Sequence, residues 1–360
     1  MLNKIDKYII KVFLTTFLAT IGLFSIIIIV FDLGEKLDDF MGNKVPVKAI
    51  LLDYYINFIP SIMNMFSPIF IFISVIFFTS RLAQRSEIIA ILASGVSYIR
   101  LLRPYIITAF ILAFFSFLLT AWIIPISDKK RVDFENNYTR NNYNYKESIH
   151  RQIKPGVFMS LGWFSQYDST GTNLTIEKYD SKEKLVSKLY ARRLSYNKAL
   201  HKWNLRDVFI RDYNKDGSHQ FKQVYELDTS LQFNPSDFFR RPEDFQSYGL
   251  FELNKIIDSE RERGSETVHL FLTEKYKRIA GPLSTIILAL IGVFVSSKKS
   301  RGGIGVNLGI GIVISFSFLF VVQLFNSYAA AGIMPAYISV FIPILIYGFI
   351  GLLLYQRVQK

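Results

Sequence analysis

Among its 360 residues the chain has no cysteine. That excludes disulfides, thiolate metal sites and a thiol-linked lipid anchor, so a domain exposed to an oxidising compartment must rest on its own core. Common catalytic spacings are missing too. There is no His-Glu-x-x-His, no Gly-x-Ser-x-Gly elbow and no Gly-x4-Gly-Lys-Ser/Thr phosphate loop. His150, His201, His219 and His269 are scattered and read as surface residues. The chain therefore reads as no enzyme, holds no ATPase motif and calls for no cofactor or metal.

Charge is the next absence. Lys, Arg, Asp and Glu are missing from six runs: Val12–Phe31, Tyr54–Thr79, Tyr105–Ile126, Ile279–Val295, Ile304–Phe325 and Ala336–Tyr355. A spanning helix needs roughly 20 apolar residues to cross a hydrocarbon core ~30 Å thick. The six runs meet or approach that length, and 51% of all residues are hydrophobic, with a mean hydropathy of +0.27. Val12–Phe31 is too long for a signal-peptide core and no small-x-small site follows it, so it reads as a retained helix. No ionisable group falls inside a run, which argues against an ion-coupled pathway.

Basic residues orient the helices. Lys4, Lys7 and Lys11 precede the first run, and Arg81, Arg85, Arg100 and Arg103 lie between the second and third. Lys298, Lys299 and Arg301 lie between the fourth and fifth, and Arg357 and Lys360 end the chain. With six spans these segments share one side, which the positive-inside rule makes cytoplasmic. The formal net charge of +13 is partly this excess, so nucleic acid is not needed to explain it.

The fold class expected is an α-helical membrane protein of six transmembrane helices, three plus three, with a periplasmic β-jelly-roll-like domain inserted between them. Residues 1–126 hold helices 1–3, 127–270 the outer domain with flanking helices, and 271–360 helices 4–6. Strands are expected at Trp163–Tyr167, Leu174–Tyr179, Leu185–Leu194, Trp203–Arg211 and Phe221–Leu227, separated by turn clusters. Asp128–Ile149 is expected to continue helix 3 outward, and Leu250–Arg263 has helical periodicity. Short strands so spaced suggest a sandwich or jelly roll.

Two segments invite a role. In the cytoplasmic loop, Ser86 is placed to cap a short helix over 86–95, Glu87 suits its first turn and Gly95 its end. Ile88, Ile89, Ile91 and Leu92 lie there at helical spacing, which fits either an interfacial helix or a coupling helix seated in a separate ATPase. Gly305 and Gly309 stand four apart at the start of the fifth run, a spacing that favours close helix packing.

Several stretches together resemble the LptF/LptG (YjgP/YjgQ) family, the permeases of the lipopolysaccharide export ABC transporter. They are Ile5–Ile9 with Phe13–Phe17, the run Leu82–Gly95, Trp122–Pro125, and Glu274–Ser284 leading into helix 4. The N-terminal stretch is more LptG-like. The resemblance implies a dimer with a second, LptF-like permease, resting on two copies of an LptB-like cytoplasmic ATPase in the bacterial inner membrane. Lipopolysaccharide would enter from the outer leaflet between helix 1 of one subunit and helix 5 of the other, where Gly305 and Gly309 lie. It would pass through the outer domains to an LptC/LptA-like bridge. By position, Arg85, Glu87, Ile88, Ile91 and Leu92 would face the ATPase, with Glu87 the coupling acid. Lys36, Lys129, Lys130 and Arg131 flank the outer helix ends and are candidates for the lipid phosphates. Where LptG-type chains carry a lysine near the outer end of helix 1, this one has Asp32, with Lys36 one turn later. Two alternatives stay open: a permease for another lipid or lipoprotein, and a non-transporting scaffold for the outer domain.

Overall fold

The computed structural model describes residues 3–139, 145–165, 168–197, 200–214, 218–231, 233, 235–238, 242–265, 267–298 and 302–358. Lys299, Arg301 and Lys360, on which the charge reading partly rests, lie outside the described residues, as do parts of the turns near 166, 198 and 215. The elements run α1 (Lys4–Gly42), α2 (Val47–Gln84), α3 (Glu87–Ala93), α4 (Tyr98–Tyr138), β1 (Tyr145–Lys154), β2 (Val157–Ser165), β3 (Thr170–Tyr179), β4 (Leu185–Asn197), β5 (Lys202–Tyr213), β6 (His219–Thr229), α5 (Leu250–Glu262), α6 (Val268–Ser296), α7 (Gly303–Ala330) and α8 (Ala336–Val358). Two compact units result: a helical one (Met1–Phe134, Gln246–Leu250, His269–Lys360) and a sheet unit (Glu135–Phe245, Phe251–Val268).

Among the described residues six helices of the first unit are long and apolar enough to cross a membrane: α1, α2, α4, α6, α7 and α8. The expected spans were too short at one end. A rise of 1.5 Å per residue makes the 39-residue α1 about 58 Å long, nearly twice the hydrocarbon thickness. Its last three turns keep helical form beyond the apolar run, because Asp32, Glu35, Lys36 and Asp38 are at home in water and Asp32 pairs with Lys36 one turn on. α4 likewise continues past its apolar run to Tyr138.

α2 organises the unit. One face carries Phe70, Ile71, Val75 and Phe78 against α1 and α4, where Phe13, Phe78 and Tyr105 form an aromatic stack with centroids 5.4 and 5.5 Å apart. A second face carries Phe72 and Ile76 against Leu288 and Ile291 of α6, Phe318 of α7 and Tyr347 of α8. Small residues admit close approach: a Cβ on Gly292 would meet Val75 at 3.0 Å, and one on Gly311 would meet Ile76 at 2.5 Å. Polar side chains bond between helices, Ser74 to Thr20 at 3.0 Å and Asn307 to Ser80 at 2.9 Å, as is common where water is absent.

The six strands form one antiparallel sheet in chain order, so every described connection is a hairpin. Along each inner strand the buried positions step by two, except for one step of three: Leu161 to Phe164, Gly171 to Leu174, Ala191 to Leu194, Leu205 to Val208. At the same level the ladder omits the pairs Gly162/Asn173, Asn173/Arg192, Arg192/Asp207 and Asp207/Tyr225. Asn173 and Asp207 there adopt left-handed φ of 57° and 53°. The register is the same on both sides of this level, so the break re-aims side chains without adding a residue to any strand. Both halves of each strand thereby feed one core: Met159, Leu174, Ala191 and Val208 from one side, Phe164, Leu194, Trp203 and Leu205 from the other, with Phe233 and Phe238 completing it. A single meander thus does the work of the two layers expected from the sequence.

One local expectation fails. Tyr145–Lys154 is strand β1, where helix was expected up to Ile149. Its run of charged and polar residues (YKESIHRQIK) masks the alternation, and Ile149 and Ile153 are the apolar residues it gives the core.

Candidate functional site

Three groups of residues from the sequence reading are placed by the helical unit. The first is the short helix α3 and the segment around it. Gly95 ends the helix with φ of 88°, as its position demands. Ser86 does not cap it: its backbone is left-handed and its side chain makes no capping bond. Ile88 is 2% exposed and belongs to the bundle core, with Ile91 and Leu92 packed half-buried against the same core. The residues that α3 turns outward are instead Ile89, Ala90 and Ala93. Of the four apolar residues read as one exposed face, Ile88, Ile91 and Leu92 meet the chain's own helices and Ile89 turns outward.

Glu87 is half-exposed, 3.9 Å from the exposed Arg85, and accepts a hydrogen bond from Tyr8 of α1 at 3.3 Å. Two residues before Tyr8, Asp6 is 2% exposed and accepts from both terminal guanidinium nitrogens of Arg100, at 2.9 and 2.8 Å. The two links join α1 to both flanks of the α3 segment. Neither Asp6 nor Tyr8 was singled out from sequence, because nothing along the chain brings residue 6 near residue 100.

The second group lies at the end of the bundle where the chain leaves for the sheet. Phe40, Tyr54 and Phe134 tie α1, α2 and α4 together there, with centroids 5.3 to 6.1 Å apart. Lys36 is engaged: it is 3.2 Å from Asp32, donates to the Tyr54 hydroxyl and lies 4.4 Å from the Tyr54 ring centroid. Arg131 pairs with the fully buried Asp128 at 3.1 Å. Lys129 and Lys130 are exposed. The four candidate cations therefore divide into two held in ion pairs and two facing outward.

The third group is Gly305 and Gly309. A Cβ on either would meet nothing within 4 Å, so the close packing expected of them is not made inside this chain; Gly292 and Gly311 make it instead. Gly305 and Gly309 belong to one of the two least covered spans. Only 17% of the apolar stretch of α7 and 11% of that of α1 is buried, against 67% for α2. Leu23, Ile26, Val30 and Phe31 of α1, and Val306, Val313, Phe316 and Phe320 of α7, face outward.

Sequence reasoning gave no role to the charged turn at the start of α6. Arg278, 2% exposed, is 3.4 Å from Glu274 and donates to the carbonyl of Tyr248 at 2.8 Å, fixing the returning segment Gln246–Leu250 to α6. The one signal was an acid and a base four apart just ahead of an apolar run. Among the described residues no group of acids and histidines could hold a metal ion.

The comparisons agree with the layout. A family model described as lipopolysaccharide export system permease LptF/LptG matches residues 7–357. No curated protein matches the chain.

Proposed function

The chain belongs to the LptF/LptG permease family, and from that premise we propose that it is the membrane subunit of an ABC transporter that lifts lipopolysaccharide from the outer leaflet of the inner membrane toward a periplasmic bridge. The observation that carries the proposal is the family match along nearly the whole chain. The uncovered apolar faces of α1 and α7 support it. In a two-permease assembly they are the surfaces left to meet a partner subunit or the lipid between them.

The chemistry is consistent. Moving an acyl chain into water costs about 0.8 kcal/mol per methylene, so several chains need both an external energy source and an apolar path. This chain has no phosphate loop, and the energy would come from a separate LptB-like ATPase on the side of α3. The geometry revises how α3 would meet it. Glu87 and Arg85 offer charge, Ile89 offers the apolar contact, and Ile88 anchors the helix from behind. Both termini would be cytoplasmic and the sheet unit periplasmic, following the basic residues at the α3 side.

Lipid phosphates would meet Lys129 and Lys130 first, being exposed, whereas Lys36 and Arg131 would have to exchange Asp32 and Asp128 for a phosphate. That pairing is the specific observation in favour of a second reading, a permease for a lipid of different head group. The N-terminal stretch favours an LptG-like rather than an LptF-like subunit.

Glu87→Lys tests the coupling assignment. The variant should insert normally but recover much less ATPase on purification. Normal ATPase recovery would remove Glu87 from the contact.

A further inference from the structure

Two neighbouring helices of the helical unit lose their regular ladder at one level. α4 widens to π geometry over Leu119–Ile123, where the N–H of Ile124 reaches five residues back to the Leu119 carbonyl. Pro125 follows directly and has no N–H to give. Facing this turn is the stretch of α2 between Pro60 and Pro68. A proline inside a helix leaves the carbonyl four residues back without its donor, here those of Ile56 and Asn64. Sharp bends in helices arise at prolines and at π-turns, and π-turns recur at functional sites.

Asn64 joins the two breaks. Its amide donates to the Thr120 hydroxyl, inside the π-turn, at 2.8 Å and accepts from the Ser116 hydroxyl at 2.7 Å. Thr120 donates in turn to the Ser116 carbonyl at 2.9 Å. The link is polar and directional, set within two runs that carry no charge, Tyr54–Thr79 and Tyr105–Ile126. Beside it opens a cleft of about 460 Å³, with Asn64, Pro68, Ser116, Thr120 and Ile124 in its wall, so the helices have room to bend there.

On either side of this level the helices are well packed. Toward the end where the chain leaves for the sheet, Tyr54 stacks on Phe58 with centroids 5.5 Å apart and meets Phe40 of α1 and Phe134 of α4. A second π-turn, Ile50–Tyr55, shapes that end, and the Asn57 amide fills it by donating to the carbonyls of Leu52 and Asp53 at 3.1 and 2.9 Å. On the other side, Phe70, Val75 and Phe78 of α2 belong to one core with Tyr105 and Ala109 of α4.

We propose that Asn64 is a positioning residue, the clasp of a joint at which the ends of α2 and α4 nearest the sheet bend together over the packed half of the bundle. They carry the end of α1 with them through Phe40. Such a joint moves Lys36, Asp128 and Arg131 without opening the core around Phe78 and Tyr105. It stands on the helices alone and does not depend on what the permease carries.

The chain has no cysteine, so introduced pairs can carry spin labels directly. Distances are read by double electron–electron resonance on the full chain in lipid nanodiscs, without ATPase or lipopolysaccharide, so a failure leaves the transport reading standing. Phe110→Cys with Asp133→Cys spans the joint along α4, both sites being exposed. Val47→Cys with Asp133→Cys lies on one side of it and Phe77→Cys with Phe110→Cys on the other. The spanning pair should give a wider distance distribution than the two control pairs. Asn64→Leu, which removes the clasp, should widen it further. Pro68→Ala, which restores a donor to the Asn64 carbonyl, should narrow it. Opposite shifts are not what simple loss of packing would give. A spanning pair as narrow as the controls overturns the proposal, and so does an unchanged width in either variant. If Asn64→Leu folds poorly, Pro68→Ala decides alone: a width equal to wild type overturns it.

Discussion

Lys36 and Lys129 carry the same charge near the same end of the bundle, yet the structure gives them different prospects. Lys36 already shares Asp32 and the Tyr54 hydroxyl, so an arriving phosphate gains only the difference between two pairings. Lys129 and Lys130 are exposed and give up less. Lys129→Glu with Lys130→Glu should therefore reduce cross-linking of lipopolysaccharide more than Lys36→Gln does, measured with a photoreactive lipid in membranes. Equal losses would mean that Lys36 abandons Asp32 when lipid arrives. In the sheet, Lys188 hydrogen-bonds Glu177 at 2.9 Å across β3 and β4 and holds its carboxyl below the ordinary value of 4.5. A lowered carboxyl contributes stability that is present above the unfolded value and is lost as pH falls through the folded one. Since the pair is partly exposed, its worth is under about 1 kcal/mol. Glu177→Gln should flatten by that small amount the loss of thermal stability of the full chain between about pH 5 and about pH 3. An unchanged slope would show that other carboxylates govern the acid limb.

At the scale of elements, the helices were legible because their signal is dense. Uncharged runs of spanning length need no partner to be recognised, and Gly95 marked the end of α3 by its backbone alone. The errors came where an element's neighbours decide. Ile88 has the spacing of an exposed apolar face, but only the bundle shows that the core claims it. β1 was hidden by its charges. The break in the ladder from Gly162 through Asn173, Arg192 and Asp207 is a property of aligned strands, and no single strand announces it. It makes a prediction: Asn173→Gly should be tolerated, because glycine accepts left-handed φ, whereas Asn173→Val should cost about 1–3 kcal/mol. Thermal unfolding of the full chain would compare them, and equal stability would mean that the strand can straighten. The ties from α1 to the α3 segment suggest that movement of α3 is passed to α1. Asp6→Asn should leave ATP hydrolysis by the assembled complex largely intact while lowering lipid extraction per ATP. The charge exchange Asp6→Arg with Arg100→Asp should restore part of it. Extraction and hydrolysis falling together, with no recovery in the exchange, would make the pair a simple structural support.

For the whole molecule, the plan of three spans, a β domain and three spans follows from chain order, and the family match covers all of it. What one chain cannot display is the surface that exists only in an assembly. In the proposed assembly the outward apolar faces of α1 and α7 and the open Gly305 and Gly309 would meet a second subunit or the lipid between the two. The central claim, a permease working with an ATPase and a second permease on lipopolysaccharide, is tested most directly by mass spectrometry of the tagged chain purified in mild detergent. The account predicts a complex with two ATPase copies per pair of six-helix permeases and bound lipopolysaccharide. Recovery of a folded chain alone, with neither ATPase nor lipid, would contradict it and leave a membrane-anchored scaffold as the reading.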